Sequence, residues 1–118
     1  ISEFTFEPEE CGLSTHDCQE LAADSSLEAA GQNMVQLLSG QTAGARTDAV
    51  LLNAGLIFLV SGTASSIKEG VDMARINLTS GKAWATLQQW VQAQNSDPAA
   101  GLAKLEKFTM GQEACSNC

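Results

Sequence analysis

Apolar residues recur at helical spacing over most of the chain and at strand spacing only at its start. Phe4 and Phe6 alternate with polar neighbours, so both rings fall on one side of an extended segment, and residues 1–6 are predicted to form a short strand. A lone strand leaves its backbone groups unpaired, and the chain supplies no obvious partner for it. Pro8, Glu9 and Glu10 read as the first turn of a helix, with the acids placed well for the helix dipole, and Gly12 as its stop. A second short helix is predicted over residues 16–21.

From there the pattern is helical throughout. Ser25 followed by Glu28 reads as a capping box opening a helix with Leu27, Met34, Val35 and Leu38 on its inner face, ended by Gly40. Thr47 or Asp48 is the predicted cap of residues 49–60, where Asn53 is the only polar side chain. At twelve residues that run is too short to span a bilayer and too rich in alanine and glycine for a strand, so a central buried helix is predicted. Ser66 and Glu69 read as a second capping box before Ile67, Val71, Ala74 and Leu78. Ser80 is the predicted cap of a helix with Trp84, Leu87 and Val91 inward. Asp97-Pro98 reads as cap and first residue of a last helix carrying Leu102, Leu105 and Phe108. Residues 111–118 show no packing pattern and are predicted to be mobile.

Composition narrows the function classes. A chain of 118 residues with 44% hydrophobic residues holds one ordinary core, and seventeen alanines against two prolines favour helix. Six basic and fourteen acidic residues give a net charge of −8, which repels phosphate backbones and anionic lipid; neither nucleic acid nor a membrane is an expected partner. Residues 1–10 lack a basic region followed by an apolar run, so no signal peptide is predicted and a cytoplasmic location is expected. Cys11, Cys18, Cys115 and Cys118 sit at the two ends of the chain, unlike a secreted disulfide scaffold, and are read as reduced thiols.

Candidate chemistry is sparse. Cys115 and Cys118 have the CxxC spacing of a zinc pair, and Cys11, Cys18 or His16 could complete a ligand set only if the chain ends met. His16, Asp17 and Cys18 invite a nucleophile-and-base reading, but neighbours on a short helix point in different directions, so a surface histidine is expected. Thr79-Ser80-Gly81-Lys82 is the end of a phosphate loop in outline, yet Ile76 stands where the first glycine belongs and Ala83 where Ser or Thr belongs. Asn77-Leu78-Thr79 is a glycosylation sequon by pattern, inside a predicted helix. Asn53 is expected to be buried and bonded, tying its helix to a neighbouring loop, because an unpaired buried amide costs about 1–3 kcal/mol. Glu9-Glu10, and Glu69 with Asp72, read as solvated faces. These residues build no catalytic, cofactor or metal site, and the bottom-up reading is an acidic helical domain.

Three ordered stretches carry a resemblance: Phe6-Glu7-Pro8-Glu9-Glu10-Cys11-Gly12-Leu13, Arg46-Thr47-Asp48-Ala49-Val50-Leu51-Leu52-Asn53-Ala54-Gly55, and Glu69-Gly70-Val71 through Ser80-Gly81-Lys82-Ala83. Together they resemble the C-terminal part of the anthranilate phosphoribosyltransferase family, of the nucleoside-phosphorylase-like transferases, over residues 1–92. The resemblance implies phosphoribosyl transfer from phosphoribosyl pyrophosphate to anthranilate in tryptophan biosynthesis, with magnesium, in a protein made of a small helical and a larger α/β domain that dimerises. It places the family's glycine-rich phosphate loop, Lys-His-Gly-Asn segment, anthranilate-contacting arginine and Asp-Glu magnesium ligands before the matched stretch, with no counterpart in residues 1–118.

The expected fold is therefore mainly α: a helical C-terminal layer of an α/β domain, its one N-terminal strand belonging to a sheet completed by missing residues. Residues 1–95 would be the C-terminal part of that domain, and residues 96–118 an extra helix and cysteine-containing tail. The chain departs from the family at Cys11, where an aromatic is common, and at Asp24-Ser25-Ser26, which replaces a glycine-rich turn. The expected partner is the N-terminal portion of the same enzyme, a homodimer, and this chain alone is expected to bind no magnesium and to be inactive. An independent acidic helical interaction module and a cysteine-organised zinc module remain the alternatives.

Overall fold

The computed structural model describes residues 3–115, with side chains described to Thr109. Among the described residues there are five α-helices: α1 Leu27–Leu38, α2 Ala45–Val60, α3 Ile67–Thr79, α4 Lys82–Gln94 and α5 Pro98–Cys115, preceded by 3-10 turns at Pro8–Cys11 and Cys18–Leu21. The fold is mainly α, and no β-strand occurs among the described residues. Residues 3–7 are not a strand, although Glu7 is extended at φ −102°, ψ 142°. A strand is defined by its ladder, and nothing here pairs with this segment. The chain divides into two compact units, one made of residues up to 22 with 43–76, the other of residues 23–42 with 77 onwards.

In the first unit, the Pro8–Cys11 turn is closed by a reciprocal capping box between Glu7 and Glu10 and ended by Gly12 at φ 77°. Four residues, from the proline up to a left-handed glycine, leave room for a 3-10 turn but not for an α-helix. Helix α2 starts at Ala45 after Gly44, so Thr47 and Asp48 lie inside its first turn and neither is the cap. The Asp48 carboxylate is engaged elsewhere, and its amide bonds to the Gly44 carbonyl within the helix. Helix α2 is not central: Leu51 and Gly55 are buried, while Val50, Ile57 and Val60 are exposed, Val60 to 87%. Asn53 is likewise exposed, and its amide donates to the Ala49 carbonyl one turn earlier at 2.7 Å. The expected tie from Asn53 to a loop is absent because an i−4 carbonyl lies within its reach.

Helix α3 crosses α2 at closest approach where two glycines meet. A methyl group on Gly70 would sit 2.4 Å from the Gly55 carbonyl oxygen, so only hydrogen fits between the backbones. Half of the predicted capping box is present: the Ser66 hydroxyl accepts from the Glu69 amide at 3.1 Å, but the Glu69 carboxylate turns to the Ser65 amide and hydroxyl. Val71 and Ala74 are buried as expected.

The second unit packs α5 against α1 and α4, and α1 against α4. Ser26, not Ser25, caps α1, its hydroxyl accepting from the Ala29 amide at 3.1 Å. Of the residues expected on its inner face, Val35 is fully buried, whereas Leu27 is 92% exposed and Met34 is exposed as well. Gly81, at φ 84°, precedes α4 in place of Ser80, whose hydroxyl instead reaches the Asn77 carbonyl. Trp84, Leu87 and Val91 are half-buried. Asp97 caps α5 as predicted, accepting from the Ala100 amide at 3.1 Å, and Leu105 is buried. Phe108 lies over Gly31, where a methyl group would come within 2.6 Å of the ring. Helix α5 continues through Cys115 into the stretch expected to be unstructured; residues 116–118 lie outside the described residues.

Candidate functional site

The densest polar cluster of the first unit forms where the Cys18–Leu21 turn meets α2. Asp17 caps this turn, its carboxylate accepting from the Gln19 amide, and Glu20 answers by accepting from the Asp17 amide at 3.0 Å. His16, just before the turn, is set between two carboxylates. Its Nε2 lies 2.8 Å from Asp48 Oδ2 on α2, and its Nδ1 lies 3.5 Å from Glu20 Oε2. Asp48 Oδ2 also accepts from the Ser14 amide at 3.3 Å. Beyond the turn, the Arg46 guanidinium donates to the Ala22 carbonyl at 2.6 Å.

His16 is thus not a plain surface histidine: its side chain is 24% exposed and that of Asp48 23%. Local sequence could not show this, because the decisive partner lies 32 residues away. The hydrogen bond to Asp48 raises the His16 pKa above its ordinary value of 6.5, with Glu20 adding to the effect. Both ring nitrogens face carboxylates, so the ring is held from two sides. The cluster ties the segment around His16 to the first turn of α2.

The other candidates stay apart. Cys11 is a buried free thiol and Cys18 an exposed one; the side chains of Cys115 and Cys118 lie outside the described residues. Lys82 and Gly81 begin α4, with no glycine-rich loop before them. Asn77 lies within α3, half-buried. Glu9, Glu10, Glu69 and Asp72 are on turn and helix surfaces, and Asp72 pairs with Lys68 and Arg75. Among the described residues, no group of three or more His, Cys, Asp or Glu side chains is placed to hold a metal ion. The Asp48 and Glu20 carboxylates are engaged with an imidazole and backbone amides.

The second unit carries an open apolar groove of about 680 Å³ between α1 and α4. Met34, Leu38, Leu87 and Trp90 supply its walls, with Asn77 and Lys82 at the polar end. A smaller depression of about 400 Å³ follows the outer face of α2 along Asn53, Leu56, Ile57 and Val60. Neither has the converging acids and bases of a reaction centre.

Residues 1–84 match the sequence profile described as "Glycosyl transferase family, a/b domain". The chain belongs to this family. Similar curated proteins include the anthranilate phosphoribosyltransferase of Rubrobacter xylanophilus, 40% identical over 93 residues, 78% of this chain and 27% of the relative. That of Aquifex aeolicus is 38% identical over 95 residues, 80% of this chain and 27% of the relative. That of Chromobacterium violaceum is 40% identical over 91 residues, 77% of this chain and 26% of the relative. The chain spans about a quarter of the length of these glycosyl transferase relatives. No solved structure matches it. No helix among the described residues is long and apolar enough to cross a membrane.

Proposed function

We propose that this chain is the C-terminal part of an anthranilate phosphoribosyltransferase. The complete enzyme would transfer the phosphoribosyl group from phosphoribosyl pyrophosphate to anthranilate, with release of pyrophosphate, as a step of tryptophan biosynthesis in the cytoplasm. The observation that carries this reading is the family match over residues 1–84 together with relatives of 38–40% identity, all bearing that name.

In this reading the division of labour follows from charge. The transition state develops positive charge on the sugar and negative charge on the leaving pyrophosphate, so catalysis requires amides or cations cradling the phosphates. Within residues 1–118 the six basic residues are spread over four helices, α2 to α5, and Arg46, Arg75 and Lys68 are engaged with a carbonyl or with Asp72. Magnesium and both substrates are assigned to the N-terminal portion, and this chain supplies the helical layer. Residues 1–95 are its share of the α/β domain, and its N-terminal segment pairs with a sheet in that portion. Residues 96–118 add a helix and a tail, and the enzyme works as a homodimer.

The test is an assay of the complete protein carrying this chain with phosphoribosyl pyrophosphate and a panel of acceptors. Conversion of anthranilate in preference to nucleobases is expected. Turnover of a nucleobase without anthranilate would move the activity to another branch of the family, and activity of the 118 residues alone would overturn the division of labour.

A further inference from the structure

We propose that residues 14–21 form a strap over the first turn of α2 that is fastened while His16 is protonated and loosened when it is neutral. The inference is independent of the family reading, since it uses only contacts inside the first unit.

The strap has fixed ends. Leu13 is buried and its amide bonds to the Pro8 carbonyl, while Ala22 is held by Arg46. Between these ends the segment meets α2 through Asp48, which takes both the Ser14 amide and His16 Nε2 on one oxygen. The groups facing the ring are Asp48 from α2 and Glu20 from the strap's own turn. An imidazolium has a proton for each carboxylate. A neutral imidazole has one, so one ring nitrogen must turn its lone pair toward an anion. Glu20 cannot easily withdraw, because its Oε2 also accepts from the Asp17 amide and closes the turn. Loss of the proton therefore sets the ring against one of its two neighbours. Because the folded pKa is raised, the fastening is complete below the unfolded value near 6.5 and is lost as pH rises through the higher folded value.

Amide hydrogen exchange of Ser14 in the 118-residue chain, corrected for the intrinsic pH dependence of exchange, tests the strap directly. Protection at pH 5.5 is expected to exceed that at pH 8.5 at least three-fold, with the transition following the His16 ring resonance. His16→Gln should remove the pH dependence. Glu20→Gln keeps an oxygen for the Asp17 amide and removes one charge, so the transition should move to lower pH. Equal protection at both pH values, a pH dependence that survives His16→Gln, or an unmoved transition in Glu20→Gln would each overturn the proposal.

Discussion

Asn53 shows how far a single residue can be read from its neighbours. An amide among eleven apolar residues predicts burial, yet the exposed face of α2 contains Asn53, Ile57 and Val60 together, and the amide bonds to its own helix. Asn53→Leu should therefore shift the free energy of unfolding by no more than about 0.5 kcal/mol, as for other exposed sites without long-range partners; the denaturation midpoint measures it. His16 went the other way, from an expected surface residue to the hub of a long-range pair. Asp48→Asn removes its main partner and should bring the His16 pKa back toward its ordinary value, which a ring-proton titration reads out. At Glu69, the Ser65 hydroxyl and amide lower the carboxyl pKa. The stability this contributes is present above the ordinary carboxylate range and is lost as pH falls through the lowered value, and Ser65→Ala should raise the Glu69 pKa in the same kind of titration.

Helices were legible as elements because their periodicity and stop signals agree, while their first residues were less so. Ser25 and Ser26 are both good caps, as are Thr47 and Asp48 on paper, and sequence cannot say which side chain is already committed to a distant partner. Val71, Ala74 and Leu78 on α3 are buried where the apolar stripe predicts, whereas on α5 only Leu105 is, Leu102 and Phe108 being half-buried; on α2, apolar all round, the pattern has no face to choose. Helix packing yields a contrast between two glycines. Gly→Ala gains about 1 kcal/mol of helix propensity in each case. At Gly70 the new methyl meets the Gly55 backbone, which cannot move aside, so Gly70→Ala should destabilise by about 1–3 kcal/mol. At Gly31 it meets the Phe108 ring, which can rotate, so Gly31→Ala should cost clearly less. Chemical denaturation of the two variants side by side measures the difference.

At the scale of the molecule, apolar side chains stand exposed in two places. Phe4 is exposed, its ring 6.2 Å from that of Phe6, and α2 presents Val50, Ile57 and Val60 outward. The mainly helical class was legible from composition and spacing, and the family from three ordered motifs; the expected N-terminal strand does not occur among the described residues. The central claim is that these residues are a working portion of an anthranilate phosphoribosyltransferase. It is tested most directly by replacing the matched segment of the Rubrobacter xylanophilus enzyme with residues 1–95 of this chain. The hybrid should convert anthranilate and phosphoribosyl pyrophosphate at a rate within about a hundred-fold of the parent, roughly 2.7 kcal/mol of barrier. A hybrid that folds cooperatively, binds phosphoribosyl pyrophosphate and still leaves anthranilate unchanged would contradict it.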